Sequence, residues 1–108
     1  MSRTLKDLSA RICRVGEIYA ERFGIERTPD WYVLKLQEEL GELTAEYVQI
    51  TGRARRETND DAEPRQRLEN EAADLFGQFM LFLAANDIDI EAAIERKWLR
   101  HLDNWEVE

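Results

Sequence analysis

Apolar residues recur at three- and four-residue steps along almost the whole chain, and this period is the feature that most constrains the fold. The spacing is that of one face of an α-helix, and no stretch shows the alternation of a half-buried strand. The first such face, which is predicted to be buried, consists of Leu5, Leu8, Ile12, Val15 and Tyr19. The sequence therefore predicts an all-α fold.

Turn and loop signals divide the pattern into four helices. Thr28 followed by Pro29 is typical of a helix start, because Thr caps the first turn and Pro needs no N–H donor there. Gly24 predicts the end of the first helix, and the polar, aperiodic stretch Arg53–Glu63 predicts a loop. The predicted helices cover about residues 4–23, 28–52, 64–86 and 89–105. No linker is long enough to separate domains, so residues 1–108 are predicted to form a single helical domain.

The third predicted helix is apolar on almost every side. Its main apolar stripe consists of Leu68, Ala72, Leu75, Phe79 and Phe82. The apolar surface is extended on other sides by Phe76, Met80, Leu81 and Leu83. A helix of this kind is buried on more than one side. The other three short helices of one chain are not enough to cover all of these sides. We therefore expect a homo-oligomer that packs partly through this helix.

The charge and composition exclude several classes of partner. A formal net charge of −8 argues against binding to a nucleic-acid backbone, which needs clustered Lys and Arg. The same charge would repel an anionic substrate unless a metal ion reversed the local field. The most apolar stretch, Leu75–Ala85, is too short to span a bilayer, so no membrane partner is expected. With Cys13 as the only cysteine, no disulfide forms within the chain, which is typical of a cytoplasmic protein.

The second and third predicted helices repeat one pattern of charged and apolar residues. In both, a basic residue and a leucine precede two acids three positions apart, and a polar and an aromatic residue follow. The matching positions are Lys35 and Arg67, Glu39 and Glu71, Glu42 and Asp74, and Glu46 and Gln78. Apolar positions match in any two amphipathic helices, whereas the matched acids indicate that both helices contribute equivalent side chains to one site.

Acids three residues apart lie on one side of a helix, here beside the apolar stripe. If the two helices pack antiparallel, Glu39 and Glu42 converge with Glu71 and Asp74 at the edge of the core. Like charges a few ångströms apart repel by about 4 kcal/mol at the effective dielectric of a protein surface, so the cluster needs protons or a cation. An all-oxygen ligand set favours Mg²⁺, with Mn²⁺ as an alternative. The competing interpretation is that these acids are solvated charges on helix flanks.

Other charged residues flank these four acids. Glu38 and Glu46 are interpreted as surface acids, with a second ion or an oriented water as the alternative role. Lys35, and Arg53 and Arg56 from the predicted loop, are candidates to bind a phosphorylated substrate. For all three, the competing interpretation is an ion pair at the surface. Lys35 in particular lies one helical turn before Glu39, with which it can pair.

The motif Glu38–Glu42 (EELGE) and the later motif Glu71–Asp74 (EAAD) resemble the EExxE and ExxD motifs of the MazG-like, all-α nucleoside triphosphate pyrophosphohydrolases. The resemblance covers about residues 31–98. It implies a small four-helix bundle that assembles as a homodimer or homotetramer. It also implies Mg²⁺-dependent cleavage of a nucleoside or deoxynucleoside triphosphate between the α and β phosphates, which yields the monophosphate and pyrophosphate.

The resemblance also implies roles for single residues. It assigns the Mg²⁺ ligands to Glu39, Glu42, Glu71 and Asp74. Glu38 corresponds to an auxiliary acid near the attacking water or a further ion, and Lys97 to a basic residue that contacts phosphate. Three alternatives remain open at this point: a phosphoribosyl-ATP pyrophosphohydrolase, a non-catalytic helical interaction module, and a regulatory module that binds nucleotides without cleaving them.

Overall fold

The computed structural model describes residues 4–53 and 63–104, and within these ranges the chain is helical with no strand. The helices are α1 (Leu5–Phe23), α2 (Pro29–Ile50), α3 (Pro64–Ala85), α4 (Ile90–Ile94) and α5 (Arg100–Asn104), and a π-helical turn (Glu95–Leu99) joins the last two. The all-α prediction is confirmed. A search of the described helices finds none that combines the length and apolar character required to cross a bilayer.

The ends of α1 are fixed by the capping residues that the sequence contains. The Thr4 hydroxyl accepts a hydrogen bond from the Asp7 N–H at 3.1 Å, which satisfies one of the free donors of the first turn. Gly24 adopts a left-handed conformation with φ of 62°, and the N–H of Ile25 donates to the carbonyl of Ala20 at 2.9 Å. This is the Schellman arrangement, which ends the helix where the sequence predicted.

The starts of α2 and α3 also agree with the predictions. Thr28 accepts a hydrogen bond from the Trp31 N–H at 3.2 Å, and Pro29 occupies the first turn. Pro64 begins α3 in the same way, although Glu63 provides no side-chain cap. The five-residue connection between α1 and α2, residues 24–28, leads directly into the turn of α2 that holds Trp31.

Helix α3 is the centre of the fold, since it packs against α2 along most of its length and also against α1. Its buried apolar side chains are Met80, Leu81 and Leu83. The C-terminal segment, residues 90–104, makes almost no contact with the first three helices. It was predicted as one regular helix, and the π-helical turn in its middle is a correction to that prediction. Trp105, the predicted end, lies outside the described residues.

A buried ion pair fixes the antiparallel register of α2 and α3. The Nε of Arg67 lies 3.4 Å from Oε1 of Glu46, and the two side chains are 7% and 16% exposed. Glu46 therefore is not the surface acid that the sequence suggested. Because the helices are antiparallel, one turn back along α2 from Glu46 lies opposite one turn forward along α3 from Arg67. Glu42 is therefore opposite Glu71, and Glu39 is opposite Asp74.

The apolar face of α1 that was predicted to be buried is largely open in the single chain, where Val15 is 64% exposed. The predicted apolar stripe of α2 is also only partly covered, since Leu40 is 48% exposed. This stripe consists of Leu36, Leu40, Leu43, Tyr47 and Ile50. Between α2 and α3 this stripe contributes to an apolar groove of about 660 Å³. The groove is lined by Val33, Leu36, Gln37, Leu40, Leu43, Ala72, Leu75, Phe76 and Phe79. Periodicity identified the apolar faces, and the contacts within one chain leave much of them uncovered.

Candidate metal centre and adjoining cleft

Three of the four predicted metal ligands come together between α2 and α3. Glu39, Glu42 and Glu71 each have a carboxylate oxygen within 4.8 Å of those of the other two. Across residues 4–53 and 63–104, no other set of three or more His, Cys, Asp or Glu residues is grouped in this way. Asp74 lies beside this carboxylate cluster, close enough for its charge to act on both Glu39 and Glu71.

Glu39 is the most deeply placed acid of the carboxylate cluster, with only 7% of its surface exposed. Its Oε1 is buried and accepts no hydrogen bond from any described residue, and the same is true of Oε1 of Glu71. Burying a carboxylate oxygen without a partner is costly, and the cost is largest when the group is ionised. Such oxygens are suited to accept a cation.

Burial and mutual repulsion raise the pKa values of two of these acids. The pKa of Glu71 rises to about 7, first because the group is buried, then because of its hydrogen bond with Glu42 and the charges of Glu42, Asp74 and Glu39. Burial also raises the pKa of Glu39, together with the charges of Glu42 and Asp74, while Lys35 opposes this rise. Without a cation, the carboxylate cluster therefore retains a proton near neutral pH.

The raised pKa of Glu71 predicts how stability changes with pH. Since the folded protein holds this proton up to about pH 7 and the unfolded chain releases it near 4.5, unfolding becomes easier as pH rises between these values. We expect the free energy of unfolding of the metal-free protein to fall by on the order of 2–3 kcal/mol across this window. Urea titrations at several pH values would measure it, and a free energy that rises with pH would contradict the assignment.

Mg²⁺ should reverse this effect, because metal binding requires the deprotonated carboxylates and releases their protons. The increase in melting temperature on adding Mg²⁺ should be larger at about pH 8 than at about pH 5.5. An increase that is equal at both pH values would indicate that the ion binds elsewhere.

The donor set fits a hard divalent cation. All three grouped side chains offer carboxylate oxygens, Asp74 adds a fourth nearby, and no described Cys or His belongs to the group. Oxygen-only sites suit Mg²⁺ or Mn²⁺ better than zinc. The unpartnered oxygens of Glu39 and Glu71 are the observation that favours a bound ion over solvated surface charges.

Lys35 links the carboxylate cluster to its surroundings. Its Nζ lies 3.2 Å from Oε2 of Glu38 and 3.9 Å from Oε2 of Glu39, and 5.9 Å from the centre of the Trp31 ring. Glu38 is half-exposed and is not part of the close group of three. The ion pairs expected for Lys35 are present, and they place a positive charge at the edge of the cluster.

A cleft of about 610 Å³ begins at the carboxylate cluster and extends between α1 and α3. Its charged and amide side chains are Glu39 from the carboxylate cluster, Asp74 beside the cluster, and Arg27, Lys35 and Gln78. Its apolar lining includes Ile12, Val15, Ala20, Ile25, Trp31 and Leu81. Arg27 and Gln78 were not predicted from the sequence as site residues. The only sequence signal that Gln78 belongs to the site was its match to Glu46 in the internal repeat. Arg27 lies in a short connection, where no sequence pattern indicates its position.

Arg53 and Lys97, also predicted to bind substrate, are not among the described residues that line this cleft. The Nε of Arg53 donates to the Thr51 hydroxyl at 3.1 Å, and its guanidinium lies over the Tyr47 ring. Lys97 is exposed within the π-helical turn, on a segment that hardly contacts α2 or α3. Arg56 lies outside the described residues.

Comparisons of the chain with models of protein families, with curated proteins and with solved structures find no match. The likeness to the MazG-like enzymes therefore depends on the two acidic motifs. Among the described residues, the carboxylate cluster and the cleft beside it are the features that bear on function.

Proposed function

We propose that this chain is a Mg²⁺-dependent nucleotide pyrophosphohydrolase of the MazG-like type, which converts a nucleoside or deoxynucleoside triphosphate to the monophosphate and pyrophosphate. The observation that supports this most directly is the buried Glu39 carboxylate, whose unpartnered oxygen belongs to a cluster of acids at the mouth of a cleft. An acidic protein that binds a polyphosphate needs a cation at such a place.

Each residue of the site has a role in this proposal. Glu39, Glu42 and Glu71 would hold the ion, with Asp74 as a further ligand. When bound, Mg²⁺ supplies neutralisation of the phosphate charge and activation of water. Lys35 would offset negative charge on the phosphates, since phosphoryl transfer depends on positioning and charge stabilisation. Glu38, exposed beside Glu39, would accept a proton from the attacking water.

The cleft matches the substrate in size and in chemical character. A volume of about 610 Å³ lies within the usual range of roughly 300–1,000 Å³ for small-molecule sites. Its lining combines positive side chains with an aromatic ring, Trp31, and an apolar surface from α1 and α3. Phosphates and a base require these two kinds of surface together.

The test is pyrophosphate release from a panel of nucleoside and deoxynucleoside triphosphates, with phosphoribosyl-ATP included to separate the two hydrolase classes. We expect release that requires Mg²⁺, is supported by Mn²⁺ and stops on addition of EDTA. Product analysis should show the monophosphate and no free orthophosphate. The absence of release from every substrate at saturating Mg²⁺ would refute the proposal.

We also propose that the chain works as a homo-oligomer, a dimer or tetramer in which the apolar groove between α2 and α3 is covered. Leu40 and Phe76 line this groove and are half-exposed in the single chain. An exposed apolar surface of this extent is typical of an interface. The uncovered apolar side chains of the C-terminal segment, such as Trp98 and Leu102, are consistent with the same conclusion.

Leu40→Glu should therefore convert the oligomer to a monomer, because a carboxylate buried in an apolar interface has no partner. Size-exclusion chromatography with light scattering would give the mass. Ile18→Glu is the matched control, since Ile18 is similarly exposed on α1 but does not line the groove. An unchanged mass in Leu40→Glu, or a monomeric wild type, would contradict this assembly.

A further inference from the structure

Arg27 is a positive side chain with no acidic partner in the part of the chain that the structure describes. It is half-buried and lines the cleft, and its guanidinium lies 5.8 Å from the centre of the Tyr32 ring. Within residues 4–53 and 63–104 it makes no ion pair and no hydrogen bond. The chain contains 23 acidic residues, so a half-buried guanidinium that pairs with none of those described indicates space for an anionic ligand.

The register of α2 and α3 explains why positive charge is available at this end of the pair. At one end, one turn beyond the carboxylate cluster, Arg67 is neutralised by Glu46 in a buried ion pair. At the other end, the equivalent level holds Lys35 and Gln78, which both line the cleft. Gln78 is uncharged, so α3 offers no acid at the level directly opposite Lys35, whose ion-pair partners Glu38 and Glu39 belong to α2. The two ends therefore differ, and Arg27 adds a further positive charge at the cleft end.

Gly16 provides the space that Arg27 occupies. A Cβ atom at this position would lie 3.3 Å from Nη1 of Arg27 and 2.9 Å from Cδ2 of Leu81. The absence of a side chain therefore lets the guanidinium approach α1 inside the cleft.

The positive groups follow one another in order away from the carboxylate cluster. Lys35 is 3.9 Å from Glu39 and contacts the Trp31 ring. Trp31 packs edge-to-face on Tyr32 at 5.2 Å, and Arg27 lies over Tyr32. A phosphate chain held at the cluster would meet Lys35 first and Arg27 last.

We propose, as an extension that rests on the proposed function, that Arg27 binds the terminal phosphate of the substrate and makes the cleft selective for triphosphates over diphosphates. A guanidinium binds a phosphate through two parallel N–H···O bonds, which adds geometric selectivity to the attraction of charge. A diphosphate held at the carboxylate cluster would reach Lys35 and leave Arg27 without a phosphate.

The test uses inorganic tripolyphosphate and pyrophosphate as probes, because they need no knowledge of the base. Calorimetry at saturating Mg²⁺ should show that the wild type binds tripolyphosphate about tenfold or more tightly than pyrophosphate. Arg27→Gln should weaken tripolyphosphate binding about tenfold and pyrophosphate binding less than about twofold. Arg22→Gln, an equal change of charge at an exposed position on α1, should alter neither.

Equal weakening of both probes in Arg27→Gln, or no weakening of either, would overturn the proposal. Arg27→Lys retains the charge without the planar fork and should lie between the wild type and Arg27→Gln. If thermal unfolding shows that Arg27→Gln is misfolded, Arg27→Lys serves as the test variant instead. A preference of Arg27→Lys for tripolyphosphate over pyrophosphate equal to that of the wild type would then overturn the proposal. Failure of the hydrolase proposal would be seen separately, as absent pyrophosphate release from nucleotides in a wild type that still prefers tripolyphosphate.

Discussion

Glu39→Gln is expected to lower Mg²⁺-dependent pyrophosphate release by about a thousandfold or more. The substitution keeps the size of the side chain but removes the charge of the most buried acid in the cluster. Loss of a metal ligand removes several kcal/mol of transition-state stabilisation, and about 4 kcal/mol corresponds to a thousandfold. Measured rates at saturating Mg²⁺ would test this.

The same variant should be more stable than the wild type when no metal is present. Glu39 is desolvated and repelled by Glu42 and Asp74, so replacing it with a neutral amide removes an unfavourable interaction. Mg²⁺ should then raise the melting temperature much less than in the wild type. Glu21→Gln, an exposed acid on α1, is the control for both measurements. A destabilised Glu39→Gln protein with normal activity would show that this carboxylate is structural.

Arg67→Ala should reduce the free energy of unfolding by about 3–5 kcal/mol, a large fraction of the roughly 5–15 kcal/mol typical of a domain. Truncating this guanidinium leaves the Glu46 carboxylate buried without its partner. Since the ion pair lies one turn from the carboxylate cluster on both helices, its loss should also weaken Mg²⁺ binding. Urea unfolding and Mg²⁺ calorimetry would measure the two effects.

Two further variants separate the buried ion pair from charge in general. Arg65→Ala removes an arginine of the same helix whose ion pair with Glu69 is exposed, and it should change stability by less than about 0.5 kcal/mol. The double variant Arg67→Met with Glu46→Leu should recover most of the stability, because apolar side chains of similar size replace buried ion pairs well. A small effect of Arg67→Ala would show that the register depends on other contacts.

The helix boundaries were readable from the sequence because they depend on local chemistry. Thr28 with Pro29 at a helix start and Gly24 at a helix end act through hydrogen bonds and backbone angles within a few residues. The repeated acids were also readable, since residues three apart must lie on the same side of a helix. These two kinds of signal were sufficient to predict the first three helices and the proximity of the acids on α2 and α3.

Features that depend on the partner helix were not readable. Glu46 was interpreted as a surface acid because nothing local distinguishes it, and its burial follows only from the position of Arg67 on α3. Arg27 lies in a connection without periodicity, so its place in the cleft depends on how α1 packs against α3. The period of the α1 face predicted its burial, but not that Val15 stays 64% exposed in the single chain.

The π-helical turn of residues 95–99 changes which side chains of the C-terminal segment point the same way. A wider turn holds more residues per revolution than an α-helix, so positions after it are rotated relative to those before it. Ile94, Trp98 and Leu102 would form one straight ridge in an unbroken helix, and here the ridge is bent around the axis. Deleting one residue from this turn would restore a regular α-helix and leave Leu102 pointing in nearly its present direction, because a π-helical turn accommodates about one extra residue.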